Sequence, residues 1–302
     1  MVALVIPVYN GGELYRQCLQ SVNRQACQFS KKLVMESGSS DASRELSIEY
    51  GFDVYDVPAG TFNHGGTRSD AVEMIDDEII VFITQDAILD NPDAIKNLIK
   101  CFDNSDVGAV YGRQLPHNDG NPLAIHARTT SYGPESYVAS MESDYPVGIR
   151  KCFMSNSFAA YRRSALLEVG GFPDNVILSE DMYAVAKMLK LGWKIAYAAD
   201  ARAQHSHNYS VGEEFRRYFD IGVFQSQEDW ILETFGSPEG EGIRVVLHQF
   251  GFLMKHGHFL WIPRAFFAAG AKFLGYKLGR KNERLGPNVS RKLAMHRAFF
   301  KR

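Results

Sequence analysis

The chain has 302 residues, of which 45% are hydrophobic and 23% are charged. This length and apolar content can bury a large core, which excludes a wholly disordered chain and predicts one large domain or one domain with an appendage. The formal net charge is only −2, but residues 261–302 carry 11 Lys or Arg and one acidic residue, against 22 basic and 34 acidic residues in the rest of the chain.

This charge asymmetry favours a polyanion or an anionic membrane surface as the partner of the C-terminal region, with a solvated basic face as the alternative. The four cysteines have neither disulfide-framework nor zinc-finger spacing, which indicates reduced thiols and argues against zinc. The N-terminal run MVALVIPVYN lacks the basic start of a signal peptide, and Pro263, Arg264 and Lys272 interrupt the apolar stretch 259–276. No membrane span is predicted.

Three strand–loop–helix units follow one another in the first 103 residues. The β-branched run VALVIPVY precedes an NGG turn and the helical pattern ELYRQCLQSVNRQ; KKLVM precedes a Gly/Ser loop and a helix; IIVFI ends in a polar loop before NPDAIKNLIKCF. This alternation predicts an α/β fold with a parallel sheet and helices on both faces. Ligands bind at the carboxyl ends of the strands in such sheets, where these polar loops lie.

The pattern becomes mixed after residue 108. VGAVYGRQLP predicts a strand, residues 116–150 a long loop of the kind that forms lids or acceptor sites, and the stretch from about Met182 a helix followed by the strand KIAYAADARAQ. Residues 257–281 mix aromatic and basic residues at helical spacing. This segment predicts a helix that either lies in a membrane interface or packs on the main domain.

Two glycine-containing loops are candidates for nucleotide binding. In ESGSSD, residues 36–41, small residues let the backbone approach a ligand, and Glu36 and Asp41 can accept hydrogen bonds from a base or ribose; a helix N-cap explains the same residues. In GTFNHGGTRSDA, residues 60–71, a Gly-Gly pair precedes Arg68, the side chain best suited to bidentate phosphate contact. An ordinary surface turn is the alternative there.

Acids and histidines later in the chain are candidates for metal binding and proton transfer. Asp86 ends an apolar strand, where a carboxylate needs a hydrogen bond or a cation, and it suits Mg²⁺ or Mn²⁺. Glu180 and Asp181 precede a helix, which they cap in the simpler interpretation. His205 and His207 follow a strand at a spacing that places both on one side, although a structural histidine pair has the same pattern.

In chain order, IPVYNGG, VMESGSSDAS, TQDA, SED and HSH resemble the motifs of glycosyltransferase family 2 over about residues 3–210. FNHGGTR, GGFP, HSHNYS and GYKLGR are most similar to bacterial rhamnosyltransferases of O-antigen assembly. The resemblance implies a GT-A fold, a Rossmann-like, mixed and mostly parallel sheet flanked by helices. The expected GT-A domain spans residues 1–210, with a donor half to about 115 and an acceptor half from about 116; residues 211–302 form a basic helical region, membrane-associating from about 257.

The resemblance also implies inverting, metal-dependent transfer of a sugar, with dTDP-L-rhamnose favoured as donor, to a hydroxyl of a lipid-linked bacterial glycan such as O-antigen. The enzyme is expected in the cytoplasm, at the inner face of the cell membrane. Asp181 is the expected general base, with Glu180 and Asn156 as acceptor contacts. Mg²⁺ or Mn²⁺ is expected at Asp86, His205 and His207. The expected donor-binding residues are Pro7, Tyr9, Asn10, Glu36, Ser39, Asp41, Asn63, His64, Gly65, Arg68, Gln85 and Asp86.

Two positions depart from the family pattern. Thr84-Gln85-Asp86 replaces the Asp-x-Asp metal motif, which leaves one carboxylate, and Glu36 stands where the family has Asp. A family 2 transferase that uses a UDP-hexose and a non-catalytic nucleotide-sugar-binding homologue are therefore the alternatives. A sugar nucleotidyltransferase lacks support because its GxGTRLxPLT-like opening is missing, and a glycoside hydrolase would not need nucleotide loops. No nucleic-acid partner is expected.

Overall fold

The computed structural model of the chain describes residues 1–236 and 241–301. These residues form two compact units. The first contains residues 1–117, 131–174 and 180–205, and the second contains residues 118–130, 175–179 and those from 206 onward. The second unit thus includes three short segments of the expected GT-A domain, residues 118–130, 175–179 and 206–210.

All strands of the described residues belong to one sheet in the first unit. They are β1 (Val2–Val8), β2 (Lys31–Glu36), β3 (Asp53–Asp56), β4 (Ile79–Ile83), β5 (Ile88–Leu89), β6 (Val107–Leu115), β7 (Tyr137–Ala139), β8 (Phe158–Arg162) and β9 (Lys194–Gln204). The sheet order is β3-β2-β1-β4-β8-β6-β9-β5, and β7 pairs with β9. All five residues of β4 are buried, as expected of a strand covered on both faces.

The described helices are α1 (Gly12–Asn23), α2 (Ser43–Glu49), α3 (His64–Glu73), α4 (Ala94–Ile99), α5 (Pro122–Ser131), α6 (Arg163–Glu168), α7 (Glu180–Lys190), α8 (Val211–Gln227), α9 (Asp229–Phe235), α10 (Glu241–Lys255), α11 (Ile262–Gly279), α12 (Asn282–Leu285) and α13 (Pro287–Leu293). Short 3₁₀ helices span Lys100–Asp103, Gly148–Cys152, Phe259–Trp261 and Arg297–Lys301. The core of the first unit forms where α1 and α4 bury Leu19, Ile95 and Leu98 against strand residues such as Leu4 and Val81.

Strand directions decide which loops meet. β1, β2, β3 and β4 are parallel, and β6 is parallel to β9. β8 lies antiparallel between β4 and β6, with Phe158 opposite Ile83. The carboxyl ends of β1, β2, β4, β6 and β9 therefore share one edge of the sheet with the amino end of β8. This mixed sheet flanked by helices confirms the predicted fold class.

The prediction of an unstructured loop over residues 116–150 is wrong. This stretch contains helix α5, strand β7 and the start of a 3₁₀ helix. The amide oxygen of Asn121 accepts hydrogen bonds from the backbone N–H groups of Leu123 and Ala124, both at 3.0 Å. An Asn N-cap followed by Pro122 at the first helical position is a start signal that the Gly, Pro and Ser content of the stretch concealed.

In the second unit, α11 packs closely against α8 through glycines. A Cβ atom at Gly275 would lie 2.3 Å from the carbonyl oxygen of Phe215, and one at Gly279 would lie 2.1 Å from that of Phe219. Only residues without a side chain permit such close contact of two helix backbones. The helix predicted within residues 257–281 is present as α11, and one face of it is a packing face. In the described part of the chain, no helix combines the length and the apolarity that a membrane crossing requires.

Candidate functional site

The loops after β1 and β2 are joined by side-chain hydrogen bonds. The N–H of Asn10 donates to Ser39 Oγ (2.9 Å), the Asn10 amide oxygen accepts from the N–H of Ser40 (2.8 Å), and Asp41 accepts from the N–H of Gly12 (2.9 Å). Asn10 has a φ of 47°, a left-handed conformation that asparagine tolerates better than most residues. The predicted donor residues Asn10, Ser39 and Asp41 thus build one rigid pair of loops.

Glu36 fixes the backbone of the loop after β2. Its side chain is buried, and it accepts hydrogen bonds from the N–H groups of Gly38 (2.8 Å) and Ser39 (2.6 Å). Burial raises the pKa of Glu36, but the hydrogen bonds from Ser39 and Gly38 outweigh it and bring the pKa below its ordinary value. The charged carboxylate therefore shapes the loop that the sequence analysis assigned to the nucleotide.

Gln85 joins the loop after β4 to the end of β1. Its amide accepts a hydrogen bond from the N–H of Tyr9 (2.8 Å) and donates to the carbonyl of Tyr9 (3.1 Å). Tyr9 is 58% exposed, so its ring is available to stack on a planar ligand. Pro7 lies two residues earlier in β1, opposite Met35 of β2.

Asp86 and His205 approach each other at the same edge of the sheet. His205 Nε2 lies 3.5 Å from Asp86 Oδ2, and its Nδ1 lies 2.9 Å from the side-chain oxygen of Gln114. Because an amide oxygen only accepts, Nδ1 carries the proton, and a neutral ring then presents the Nε2 lone pair towards the carboxylate. A carboxylate and an imidazole lone pair at this separation are a suitable donor pair for a divalent cation, with Gln114 orienting the ring.

His207 belongs to the second unit, two residues beyond His205. Two residues of extended chain span about 7 Å at most, so the backbone of His207 lies within that distance of the backbone of His205. Its ring packs at 5.0 Å from that of Tyr209. The metal role of all three predicted ligands remains a prediction.

Helix α3 begins in the FNHGGTR motif. The side chain of Asn63 caps it by accepting from the N–H groups of Gly65 (3.0 Å) and Gly66 (2.8 Å). A Cβ atom at Gly65 would lie 1.7 Å from the carbonyl oxygen of Pro173, so this glycine permits close contact with the GGFP motif. His64 follows the cap, with its ring against Phe62.

Arg68 of α3 is buried against Glu180 at the start of α7. Their side chains are 5% and 8% exposed, and Arg68 Nη1 lies 3.1 Å from Glu180 Oε1 and 2.8 Å from the carbonyl oxygen of His64. Burial raises the pKa of Glu180, but the Arg68 guanidinium and His64 lower it, and the net pKa lies below the ordinary value. Glu180 is therefore a buried anion paired with a buried cation.

Asp181 is partly exposed and has the opposite pKa shift. Burial and the neighbouring charge of Glu180 raise its pKa to about 7, against the hydrogen bonds that it accepts from the N–H groups of Asn156 (3.0 Å) and Met182 (2.7 Å). The preceding residue, Ser179, has a φ of 62°. A left-handed non-glycine residue just before the two acids is the kind of local strain found at functional sites.

Asn156 lies between the two acids. Its backbone N–H donates to Asp181, its side-chain N–H donates to Glu180 (3.0 Å), and its side-chain oxygen accepts from the hydroxyl of Tyr161 (2.7 Å). Asn156 is 4% exposed, so the structure places this predicted acceptor contact inside the protein. Tyr161 could not be predicted from the sequence, because it lies within β8 and belongs to no motif.

The metal-binding candidates and the acids meet through residues 155–157. Gln114 donates to Ser155 Oγ (2.8 Å), Asn156 binds Asp181, and the N–H of Thr84 donates to the carbonyl of Ser157 (3.3 Å). Of these, Gln114 and Ser155 were also missed, because polar residues at a strand end give no specific signal. The geometry supplies a carboxylate–imidazole pair and a carboxylate with a pKa near 7 at one edge of the sheet.

Comparison with known proteins gives consistent results. The family model described as glycosyl transferase family 2 matches residues 3–170. The chain is 46% identical to the O-antigen chain rhamnosyltransferase RfbN of Salmonella typhimurium, over 99% of this chain and 96% of that protein. It is 43% identical to the O-antigen chain rhamnosyltransferase WbaN of Salmonella anatum, over 98% and 95%.

The fold is also found among solved structures. A mannosyltransferase from Pyrobaculum calidifontis, in complex with GDP-Man and Mn²⁺, superimposes with a TM-score of 0.60 at 16% identity. The match covers 99% of this chain and 84% of that one. At this identity the likeness concerns the fold alone.

Proposed function

The chain belongs to glycosyltransferase family 2, and we propose that it transfers L-rhamnose from dTDP-L-rhamnose to a hydroxyl group of a growing, lipid-linked O-antigen glycan. The observation that supports rhamnose as the transferred sugar and O-antigen as the product is the identity of 43–46%, over almost the full chain, to two O-antigen rhamnosyltransferases. The arrangement of Asp86, His205 and Asp181 at one sheet edge supports an active enzyme over a non-catalytic homologue.

In the proposed mechanism, Asp181 is the general base. Its carboxylate takes the proton of the acceptor hydroxyl as the oxygen forms a bond to C1 of the sugar, and the bond from C1 to the diphosphate oxygen breaks. Attack from the face opposite the leaving group inverts the anomeric configuration. A pKa of about 7 leaves Asp181 partly ionised at neutral pH, which is the useful range for a general base.

Asp86 and His205 of the first unit would hold a divalent cation. The donor set fits Mn²⁺ or Mg²⁺ because it contains a carboxylate and an imidazole that Gln114 orients. When bound, such a cation neutralises negative charge on the departing diphosphate. The loops that contain Asn10, Ser39 and Asp41, with the exposed ring of Tyr9, would bind the nucleoside.

The first experiment is isothermal titration of the protein with dTDP-L-rhamnose, UDP-glucose and UDP-galactose, each with Mn²⁺, Mg²⁺ or EDTA. We expect metal-dependent binding of dTDP-L-rhamnose alone. A preference for a UDP-hexose would overturn the donor but keep the family, and absence of binding to all three would favour a non-catalytic homologue.

A second experiment tests the base. Asp181→Asn should abolish transfer of rhamnose to an O-antigen acceptor while donor affinity in the titration stays unchanged. Asp174→Asn, at an exposed aspartate seven residues earlier, is the matched control and should keep transfer. Retained turnover in Asp181→Asn would exclude this carboxylate as the general base.

We also propose that α11 binds an anionic membrane at the inner face of the cell membrane. Its buried face consists of small residues, Ala265, Ala268, Gly275 and Gly279, whereas large apolar residues point outward. Phe266, Phe267, Phe273 and Leu274 are 53–66% exposed, and Leu260 just before the helix is 94% exposed. Tyr276 does not belong to this face, because its hydroxyl donates to Gln225 (2.7 Å). An outward aromatic face beside basic residues suits an interfacial helix.

Vesicle flotation with Phe266→Ser/Phe267→Ser tests this proposal. Because α11 covers α8, removal of the whole segment would expose packing surface, and point variants are the cleaner test. We expect the double variant to lose vesicle binding, while Leu14→Ser/Ile48→Ser, at exposed apolar residues of the first unit, keeps it. A dimer that dissociates in the Phe variant would instead assign the face to contact between copies of the chain.

A further inference from the structure

The Arg68–Glu180 ion pair has no evident use in stability. Replacing a buried ion pair by apolar residues often leaves stability unchanged or raises it, so its presence needs another explanation. Phosphate binding does not provide one directly, since Arg68 is 4% exposed and its Nη1 is already engaged by Glu180 and the carbonyl of His64. Its Nε is buried and makes no hydrogen bond with the described residues.

The ion pair continues into a connected set of buried side chains, which we call the Glu180 network: Arg68, Glu180, Asn156 and Tyr161. Arg68 forms an ion pair with one carboxylate oxygen of Glu180, and the side-chain N–H of Asn156 donates to the same oxygen. Tyr161 is fully buried, and its hydroxyl donates to the side-chain oxygen of Asn156. This network contacts Asp181 through the backbone N–H of Asn156, which donates a hydrogen bond to the Asp181 carboxylate. Every step is a direct contact within the first unit.

We propose that the Glu180 network positions Asp181 and controls its protonation, and that its members do not bind the donor diphosphate. This inference deepens the proposed function and rests on Asp181 being the general base. The members are positioning residues, since they reach the reacting atoms only through Asp181. It reassigns Arg68 from donor binding, and Glu180 and Asn156 from acceptor contact, to the support of one carboxylate.

The physical link is electrostatic as well as geometric. Arg68 keeps Glu180 ionised in a buried place, and after burial itself the charge of Glu180 is the largest influence that raises the pKa of Asp181. Arg68 acts directly on Asp181 in the opposite sense, but less strongly. The elements packed against α7 carry these further titratable or charged groups: His64, Asp70 and Glu73 on α3, Arg150, Lys151 and Cys152 on the 3₁₀ helix, Tyr111 and Arg113 on β6, Arg163 and Glu168 on α6, and Lys194, Tyr197, Asp200 and Arg202 on β9.

The pH profile of kcat/KM tests this inference. In Glu180→Gln, loss of the neighbouring charge lets Asp181 ionise at lower pH, so the midpoint of the acidic limb should move down by roughly one unit. The rate on the plateau should fall as well, because a weaker base accepts the proton less readily. An unchanged midpoint in a folded, active Glu180→Gln protein would overturn the inference.

A second variant guards against misfolding of the first. Arg68→Met/Glu180→Met removes both charges and keeps the volume, so the protein should fold. We expect unchanged affinity for dTDP-L-rhamnose in titration and a downward shift of the acidic limb that is smaller than in Glu180→Gln, because Arg68, which lowers the pKa of Asp181, is also lost. Reduced donor affinity would show that Arg68 binds the diphosphate and would contradict the inference. Asp181→Asn separates the two claims: if it keeps transfer, the proposed base fails, whatever Glu180 does.

Discussion

Polar side chains of the site are fixed by specific partners: Arg68 lies 3.1 Å from Glu180, and His205 lies 2.9 Å from Gln114. Asp86, Asp181 and His205 were predicted as chemical groups because each ends or begins an element at the ligand-binding edge of an α/β sheet. The partners of such groups are not visible in the same way. Arg68 and Glu180 are far apart in sequence yet 3.1 Å apart in space, and nothing local in FNHGGTR distinguishes an arginine that meets phosphate from one that meets a buried glutamate.

The role of Gln114 can be tested by substitution, because Gln114 fixes the proton of His205 on Nδ1. Gln114→Leu should weaken Mn²⁺ binding about 10- to 100-fold, the usual cost of losing the partner of a metal-binding histidine. Gln114→Glu keeps an accepting oxygen and should retain the affinity. Electron paramagnetic resonance of Mn²⁺ measures both, and equal affinity in Gln114→Leu and the wild type would refute the role.

Asp181 provides another prediction, which concerns stability. Its pKa in the folded protein, about 7, lies above the ordinary value of 3.8, so the fold favours the protonated form. The corresponding stabilisation is complete below about pH 4 and is lost as the pH rises through about 7. Asn cannot ionise, so Asp181→Asn should be more stable than the wild type by roughly 1–3 kcal/mol at about pH 8, and by much less at about pH 5. Urea unfolding at the two pH values measures this; a gain that does not grow with pH would contradict it.

At the scale of elements, strong patterns were reliable and weak ones were not. The apolar runs of β1, β2 and β4 and the helical spacing of α1 predicted those elements within a few residues, because burial on both faces or on one face leaves a periodic trace. α5 and β7 were missed because both lie among turn-forming residues, and β7 has only 3 residues. The pairing of α11 with α8 was also hidden, because a glycine that permits close packing looks like a glycine that weakens a helix.

The α8–α11 contact leads to a prediction with a built-in control. Gly279→Ala places a methyl group where 2.1 Å separates it from the carbonyl oxygen of Phe219, so the helices must move apart; we expect a loss of about 1–3 kcal/mol in unfolding free energy. Gly270→Ala lies in the same helix with nothing within 4 Å and should gain up to about 1 kcal/mol. Denaturant unfolding measures the free energy of unfolding of both variants. Similar changes in the two would mean that the close contact between the helices does not affect stability.

For the whole molecule, the charge distribution is informative where the net charge is not. A net charge of −2 hides a strongly basic region after residue 260. The structure adds that some of these charges have internal partners, as Lys272 does with Glu214 at 3.1 Å, whereas Lys281 and Arg284 are exposed. Composition could predict an anionic partner, but only the fold shows which cations face solvent.

The exposed cations and the exposed aromatic face of α11 make separable contributions to the proposed membrane binding. Lys281→Gln/Arg284→Gln removes two charges worth about 1 kcal/mol each near an anionic surface, so binding to anionic vesicles should weaken about thirty-fold. Lys96→Gln/Lys100→Gln, at exposed lysines of the first unit, should bind like the wild type.

Wild-type binding should also weaken as salt shortens the Debye length from about 10 Å at 0.1 M to about 3 Å at 1 M, and it should do so less in the Lys281/Arg284 variant. Co-sedimentation across this salt range measures all three proteins. Equal salt dependence in all of them would mean that these two cations do not face the membrane.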